Sequence, residues 1–301
     1  MKESDLMLHL PKALAEPLQK KGVSYWKDAW MRLCMNRPAL FGLGVLLVML
    51  SCAIIVPFLS PHTYYETHLA LKNQPPSALF WFGTDELGRD LFTRIWLGAR
   101  ISLFVGITAA FIDMAIGVFF GAFAGMIGGK TEEVMMRISD ILHSLPHLLI
   151  VILLMVIMKP GVTTILIALT ITGWINMARI VRGQILQIKQ HDFVLAAYML
   201  GASRWRILFR HLIPNAVGSI ITTMTLTVPA AIFTEAFLSF LGLGVQAPIA
   251  SWGTMASDGL SALRYYPWRL FFPAGFISIT MLAFNLLGDG VRDAFDPRLR
   301  T

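Results

Sequence analysis

The chain has 301 residues, of which 56% are hydrophobic and 14% are charged, and its formal net charge is +7. Because soluble domains carry about 25% charged residues, this composition excludes an ordinary soluble protein and indicates a membrane protein. The positive charge does not indicate nucleic-acid binding, since the basic residues lie beside apolar runs and form no basic tract interleaved with aromatic side chains.

Six apolar stretches are each near the length of about 20 residues that crosses a bilayer, so the predicted fold class is all-α integral membrane with six transmembrane helices. They occupy residues 39–59, 101–127, 141–158, 162–181, 216–241 and 270–288. The first follows several basic residues and lacks a signal-peptide pattern, which predicts an uncleaved anchor helix. Only Lys159, Pro160 and Gly161 separate the third stretch from the fourth, so these two are expected to form an antiparallel hairpin.

The distribution of basic residues predicts the orientation of the chain. With the amino terminus in the cytoplasm, 18 of the 25 Lys and Arg residues lie inside and seven lie outside, which is the asymmetry that membrane insertion favours. The predicted segments are a cytoplasmic segment at 1–38, the anchor helix at 39–59, an extracytoplasmic loop at 60–100, a five-helix core at 101–290 that includes an inner loop at 182–215, and a cytoplasmic tail at 291–301. Within the extracytoplasmic loop, Thr84, Asp85 and Glu86 predict the capped start of a short helix.

The second predicted span has a ridge of glycines. Gly117, Gly121, Gly125 and Gly129 recur every four residues, so they lie near one face of a helix and allow a second helix to approach closely. The ridge is expected to contact either another helix of the same chain or a second subunit. The run AGMIGGKT at 124–131 approaches a phosphate-binding loop, but it has an alanine at the first required glycine and ends an apolar helix, which excludes an ATPase.

The inner loop contains the segment LAAYMLGASRWRILFRHLIPN at 195–215. Helix formers on both sides of Gly201 and Ala202 predict two short helices that meet at a bend, and Pro214 is expected to end the second helix. One interpretation is a surface that contacts another protein, and the alternative is an amphipathic helix on the inner leaflet with its basic residues towards lipid. The residues expected to form the contact are Leu195, Ala196, Ala197, Gly201, Ala202, Ser203, Arg204, Trp205, Arg206 and Pro214.

This loop resembles the coupling motif of importer permeases of the ATP-binding-cassette (ABC) superfamily, which has an Ala–Ala pair, a glycine four residues later and a closing hydrophobic–Pro pair. Leu195 stands where that motif usually has Glu, so a salt bridge or cap from that Glu is not expected here. Other segments resemble the C-type permease subunit of the oligopeptide, dipeptide and nickel importer family, closest to its oligopeptide branch. They are WKDAWMRLCMNRPA (26–39), FGTDELGRD (82–90), MARIVRGQ (177–184), EAFLSFLGLG (235–244), SWGTMASDG (251–259) and FNLLGDGVRDAFDPRLR (284–300).

The resemblance implies a permease subunit that imports oligopeptides across the bacterial cytoplasmic membrane, with a dipeptide or nickel importer subunit as the alternative. It also implies a paralogous second permease, two ATPase subunits, an extracytoplasmic peptide-binding protein, membrane lipid and the peptide as partners. ATP and Mg would belong to the ATPase subunits, so no cofactor and no catalytic residue is expected in this chain. An ion-coupled transporter and a channel are rivals of other classes, but the sequence shows no inverted repeat for the first and the second gives no reason for the inner loop.

Ionisable residues within apolar spans are costly and indicate function or buried pairing. Asp113 and Glu235 are expected either to line the translocation pathway, where they would meet the amine of the peptide, or to pair with a buried partner such as a basic residue of a neighbouring helix. His143 and His147 are spaced for a metal site but lack a third ligand, so an interfacial helix start is favoured. The two cysteines, Cys34 and Cys52, have no metal-ligand spacing.

Overall fold

The computed structural model describes residues 25–295, and within that range the chain is α-helical apart from turns, one short 3-10 helix and one isolated bridge between Thr84 and Asp90. The helices of this range are α1 (Tyr25–Met35), α2 (Arg37–Leu59), α3 (Leu91–Ile127), α4 (Gly129–Ser144), α5 (His147–Met158), α6 (Val162–Ile188), α7 (Asp192–Met199), α8 (Arg204–Ile207), α9 (Ile213–Phe240), α10 (Trp252–Ala262) and α11 (Trp268–Phe295). Most of the predicted segment 1–38 and the end of the predicted tail lie outside the described residues. Residues 291–295 of that tail continue α11.

Among residues 25–295, five helical segments are long and apolar enough to cross a membrane, and a bent pair of helices could supply a sixth span. The bent pair is α4 and α5, which meet at an angle of 77°. The predicted third span, 141–158, is therefore wrong as a straight helix, because it starts in the last turn of α4 and crosses the break. Pro146 explains the break, since the residue before a proline avoids the helical conformation, and Leu145 has an extended ψ of 133°.

The second span begins ten residues earlier than its apolar stretch indicates. Helix α3 starts at Leu91, where the carboxylate of Asp90 accepts a hydrogen bond from the backbone N–H of Thr93 at 2.8 Å. Arg94 and Arg100 interrupt the apolar pattern in the first turns, although both belong to the helix. The connection between the first two spans, called the outer loop below, therefore covers residues 60–90 and not 60–100.

Helix α3 packs along α6, and the glycine ridge lies in that contact. A Cβ atom added at Gly117 would lie 2.6 Å from Met177 Cβ, and one added at Gly121 would lie 2.3 Å from the carbonyl oxygen of Ala178. Gly125 faces Ile185 in the same way, at 3.0 Å. The ridge is thus covered by α6 of the same chain and leaves no room for a second subunit. Gly129 lies beyond the helix, in the first residue of α4.

The anchor helix α2 lies on the outside of the bundle against α3 and α11. Its contact with α11 is also close, since a Cβ atom at Gly42 would lie 2.5 Å from the carbonyl oxygen of Ala283, and one at Gly290 would lie 2.2 Å from Ala39 Cβ. The side chain of Asn36 caps α2 by accepting a hydrogen bond from the backbone N–H of Ala39 at 3.1 Å. The anchor is therefore built onto the side of the bundle remote from α6.

Candidate functional site

The inner loop folds as two short helices joined by a tight turn, as the sequence predicts. Helix α7 ends in a glycine cap, in which Gly201 has a left-handed φ of +79°. The backbone N–H of Ala202 donates to the carbonyl of Ala197, and that of Gly201 donates to the carbonyl of Tyr198, each at 3.0 Å. Ser203 then begins α8 by accepting from the backbone N–H of Arg206 at 3.3 Å. The glycine and the serine therefore fix the bend.

The predicted role of Pro214 is wrong. It does not end a helix, because residues 204–240 form one continuous helical segment in which a π-helical turn, Leu208–Leu212, joins α8 to α9. Pro214, the second residue of α9, follows this π-helical turn, which accommodates a residue that has no N–H to donate. The π turn absorbs the change, so the inner loop runs directly into the fifth span.

One face of the inner loop is buried in the bundle. Val194, Ile207 and Leu212 are completely buried, and they join a cluster that includes Met126 at the end of α3 and Ile185 on α6. Lys189 strengthens this attachment by donating to the carbonyl of Met126 at 2.9 Å. The loop is therefore packed against the ends of α3 and α6 and cannot move without them.

The opposite face of the inner loop is exposed and apolar. Met199 is 90% exposed and Leu200 is 88% exposed, while Leu195 and Trp205 are about half exposed. Two adjacent apolar side chains at a helix end, with no partner in the described part of the chain, are typical of a surface that another protein covers. Sequence analysis missed Met199 and Leu200. The signal was available, because the glycine cap places both at the tip of the loop.

The structure places the predicted contact residues 195–206 in the turn and short helices of this tip, whereas Pro214 lies farther along the chain in α9. Most of them are exposed, and only Ala197 and Ala202 are partly buried, against the core of the bundle. The exposed members are Leu195, Ala196, Gly201, Ser203, Arg204, Trp205, Arg206 and Pro214. The result is an apolar centre beside two exposed arginines, which is a composition suited to protein contact.

A cavity of about 540 Å³, open on one side, lies between α3, α4, α5, α6 and α9, and is called the membrane cavity below. Its polar lining residues are Asp113, His143, His147, Thr172, Asn176, Thr223, Thr227 and Thr234. The Asp113 side chain is at the middle of the apolar stretch 101–127 and is 4% exposed. Among residues 25–295 its Oδ1 atom finds no hydrogen-bond partner. A buried carboxylate oxygen without a donor is expensive, which makes Asp113 the leading pathway candidate.

The second intramembrane acid, Glu235, is fully buried and does not line the membrane cavity. Within residues 25–295 its hydrogen-bond partners are two serine hydroxyls, not a basic residue. Ser102 donates to Oε2 at 2.9 Å and Ser239 donates to Oε1 at 2.8 Å. Glu235 is therefore a buried group that links α3 to α9 through hydrogen bonds with serine hydroxyls.

The two histidines stand on either side of the break between α4 and α5. His147 Nδ1 lies 3.0 Å from Thr172 Oγ1 on α6, and His143 is exposed towards the membrane cavity. Within residues 25–295 no group of three or more His, Cys, Asp or Glu side chains is arranged to hold a metal ion. The position at a helix break agrees with the preferred interpretation of an interfacial helix start.

In the outer loop, Thr84 and Asp85 do not begin a helix as predicted. The Asp85 carboxylate instead closes a turn, accepting from the backbone N–H groups of Leu87 and Arg89 at 2.9 Å and from Arg89 Nε at 2.6 Å. The short bridge between Thr84 and Asp90 holds this turn. The cap signal was real but belongs to Asp90, one turn later, where α3 begins.

A buried arginine of α11 ties the outer loop to the bundle. Arg269 is 4% exposed and donates to Asn73 Oδ1 at 3.2 Å and to Glu86 Oε2 at 3.3 Å. It also donates to the backbone carbonyl of Asp258 at 3.3 Å. Loss of solvent around the Asp258 carboxyl raises its pKa, and the charge of Arg94 opposes that change. The outer surface is therefore an ordered cap over the helices.

Comparison with known protein families places the chain among transport proteins. Residues 117–301 match the family described as the binding-protein-dependent transport system inner membrane component. Residues 24–76 match the N-terminal transmembrane domain of oligopeptide transport permease C. Together these two matches cover the anchor helix, the end of α3 and the chain from α4 onward, including the inner loop.

Individual relatives match over nearly the full length. The chain is 61% identical over 286 residues to the oligopeptide transport system permease protein OppC of Bacillus subtilis, covering 95% of this chain and 94% of the relative. It is 60% identical over 287 residues to the dipeptide transport system permease protein DppC of the same organism, covering 95% and 90%. OppC of Escherichia coli strain K12 is 43% identical over 288 residues, with 95% of each chain covered.

A solved structure shares the fold. A chain of the MetNI methionine ABC transporter, in an inward-facing conformation, matches with a TM-score of 0.56 and 19% sequence identity, covering 67% of this chain and 97% of that chain. The predicted importer-type permease fold is confirmed by this match together with the family matches.

Proposed function

Because this chain belongs to the family of inner membrane components of binding-protein-dependent transport systems, we propose that it is a permease subunit through which an ABC importer moves oligopeptides into the bacterial cytoplasm. The exposed apolar tip of the inner loop, joined to the buried ends of α3 and α6, is the observation that supports a coupled transporter most directly. A channel or an anchor protein would have no use for such a surface.

The substrate is a peptide. Relatives named for oligopeptide transport and for dipeptide transport stand at 61% and 60% identity, so peptide length is the remaining distinction. The oligopeptide assignment is preferred because the relative with the higher identity and the match at residues 24–76 both have that name. Dipeptide import is the second candidate function, and the DppC relative supports it.

Coupling to ATP hydrolysis would pass through the inner loop. In this mechanism the loop tip, with Met199, Leu200 and Trp205, docks on a separate ATPase subunit that holds ATP and Mg. Closure of the two ATPase subunits would move the loop as a rigid unit, because α7 and α8 are packed on Met126 and Ile185. The ends of α3 and α6 would follow, and access to the membrane cavity would change sides.

The remaining components follow from this division of labour. A paralogous permease would complete the pathway, and an extracytoplasmic binding protein would deliver the peptide to the outer surface. The chain itself performs no hydrolysis and holds no cofactor in this scheme. It lies in the cytoplasmic membrane as a multi-pass protein with both termini in the cytoplasm, which is the orientation that the excess of inner basic residues favours.

Co-purification and peptide uptake test the proposal. The chain is co-expressed with the second permease and the ATPase subunits of the proposed importer, purified in mild detergent and reconstituted with the binding protein. The wild type is expected to bring the ATPase pair and to import peptide only when ATP is supplied. A variant with Met199→Glu and Leu200→Glu is expected to lose the ATPase subunits but keep the second permease, because both side chains are exposed and make no fold-supporting contact.

A matched control has the same chemical change on the other side of the bundle. Leu69 and Leu79 in the outer loop are 66% and 65% exposed, so Leu69→Glu with Leu79→Glu adds two charges at comparable exposure. This control should retain the ATPase pair. Retention of the ATPases by the inner-loop variant, or uptake by the wild type that follows an ion gradient in the absence of ATP, would overturn the proposed function.

A further inference from the structure

The membrane cavity has one wall made of hydrogen-bond acceptors. Three threonines of α9 line it, and each hydroxyl donates its proton to a carbonyl of its own helix. Thr223 donates to Ser219 at 2.8 Å, Thr227 to Thr223 at 2.9 Å and Thr234 to Ala230 at 2.8 Å. Since the hydroxyl donor is used in each case, the lone pairs left on these oxygens are acceptors.

A carboxylate on α3 belongs to the same cavity lining as these hydroxyls. Asp113 is 4% exposed and its Oδ1 atom lacks a donor within the described part of the chain. The cavity lining contains no Lys or Arg, and its other ionisable residues are His143 and His147. His147 lies within hydrogen-bond distance of Thr172 through Nδ1. The cavity therefore combines one buried carboxylate with several acceptors and has no resident cation to balance it.

An ammonium group is the ligand that fits this arrangement. It has a positive charge, three donors and no acceptor, so it complements a carboxylate surrounded by hydroxyl acceptors. A carboxylate or phosphate ligand would meet the like charge of Asp113, and the only side-chain donors in the lining besides the hydroxyls are the amide of Asn176 and the two imidazoles. Among the chemical groups of a peptide, the α-ammonium group is the one that occurs in every sequence, whereas lysine occurs in some. A site for it would accept peptides irrespective of their side chains.

We propose that Asp113 and the threonine wall form a transit site that binds the α-ammonium group of the peptide as it crosses the bundle. This inference rests on the proposed function. Depth supports it: Asp113 is twelve residues from the start and fourteen from the end of the apolar stretch 101–127, which places it about 18–21 Å along the helix from either end. A charged amine at that depth needs a counter-charge, and Asp113 supplies it.

The test compares uptake of trialanine with uptake of N-acetyl-trialanine by the reconstituted complex. The acetyl group removes the positive charge and leaves the rest of the peptide in place. Both peptides are supplied at concentrations that saturate the binding protein, and that protein is the same in every sample, so its own preference cancels when variants are compared. The quantity compared is the ATP-dependent initial rate of trialanine uptake divided by that of N-acetyl-trialanine uptake.

Asp113→Asn and Asp113→Ser are the test variants, and Glu235→Gln is the control, because it removes the charge of an intramembrane acid that lies outside the cavity. We expect the rate ratio to fall about tenfold in both Asp113 variants, as the loss of one charge-assisted hydrogen bond predicts. The ratio should stay at the wild-type value in Glu235→Gln. Assembly of each complex is checked by co-purification of the second permease.

Three other outcomes are decisive. An unchanged ratio in an assembled Asp113 variant would overturn the transit site. Asp113 would then carry a proton or support the structure without binding the peptide. Failure of both Asp113 variants to assemble would also overturn it, because the carboxylate would then be a packing element. If the wild type took up neither peptide in an ATP-dependent manner, the proposed function would be refuted, and the inference with it.

Discussion

The carboxylate of Asp113 on α3 lies directly over Gly173 on α6, where a Cβ atom would be 2.2 Å from Oδ2 and 2.7 Å from Oδ1. Real Cβ contacts do not come so close, so any side chain at position 173 must displace the carboxylate. Gly173 therefore provides the space that allows a charged group to reach the membrane cavity between two tightly packed helices. The sequence gives no local reason for this glycine, since it lies within a regular helix.

Gly173→Ala is expected to reduce peptide uptake about tenfold, the effect of moving a charged hydrogen-bond partner out of place. The double variant with Asp113→Ala isolates the cause. Once the carboxylate is removed, alanine at position 173 should cost little further activity, and the coupling between the two positions should reach about 1 kcal/mol or more. If the loss of uptake in the double variant equalled the sum of the losses in the two single variants, in free-energy units, Gly173 would act through something other than Asp113. Uptake and co-purification are measured on the same preparations.

Gly121→Ala is expected to lower the stability of the protein by about 1–3 kcal/mol, the usual cost of overpacking a tight contact. The added carbon would lie 2.3 Å from the carbonyl oxygen of Ala178, and backbone cannot move aside as a flexible side chain can. Gly183→Ala is the control, because it lies on α6 with open space around it and gains helix propensity. Thermal unfolding in detergent compares the two. Equal melting temperatures would contradict the close contact between α3 and α6.

Glu235→Gln is expected to change uptake less than twofold, since an amide can still bond to the hydroxyls of Ser102 and Ser239, which can rotate. Glu235→Ala should lower stability by about 2–4 kcal/mol, because it leaves a cavity and removes the partner of two buried hydroxyls. Uptake and melting temperature are recorded for both variants. A large loss of uptake in an otherwise stable Glu235→Gln complex would return Glu235 to the pathway.

Arg269→Met is expected to free the outer loop, because it removes the hydrogen bonds from Arg269 to Asn73, Glu86 and Asp258. Hydrogen bonds to charged groups contribute about 1.5–3 kcal/mol, so a protease should cut within residues 60–90 about tenfold faster. Arg264 is exposed, and Arg264→Met is the control. Cleavage at the wild-type rate in Arg269→Met would mean that the turn at Asp85 holds the loop without help from α11.

Hydropathy located the bundle because lipid-crossing helices need long apolar runs, and five of the six predicted stretches correspond to straight spans. It misplaced the start of α3 because Arg94 looks like an interruption when neighbours in space are unknown. In the folded chain Arg94 is buried and its Nε lies 3.6 Å from Asp85 Oδ2. Hydropathy is averaged over neighbouring residues in the sequence, so it cannot detect an ion pair between residues of two different structural elements.

The inner loop was predictable for a different reason. Its bend depends on a left-handed residue, and Gly201 is a strong local signal for one. The continuation of α8 into α9 was not predictable, since Pro214 is compatible both with a helix end and with a first helical turn. The membrane cavity was also beyond reach, because it forms where several helices meet. Asp113, His143 and His147 stood out in the sequence, but nothing in their spacing places them around one cavity.

Cysteine labelling tests the orientation that the basic residues predict. Leu200 and Tyr265 are 88% and 71% exposed at opposite ends of the bundle, so Leu200→Cys and Tyr265→Cys each offer an accessible thiol. Both are made in a background with Cys34→Ser and Cys52→Ala, which removes the native thiols. In cells whose cell wall or outer membrane has been removed and whose cytoplasmic membrane is intact, a membrane-impermeant maleimide should label position 265 and not position 200. The chain is expressed without the ATPase subunits, which are proposed to cover position 200, and after the membrane is opened the maleimide should label both positions. Labelling of position 200 from the outside would reverse the topology and would remove the inner loop from the side where ATP is available.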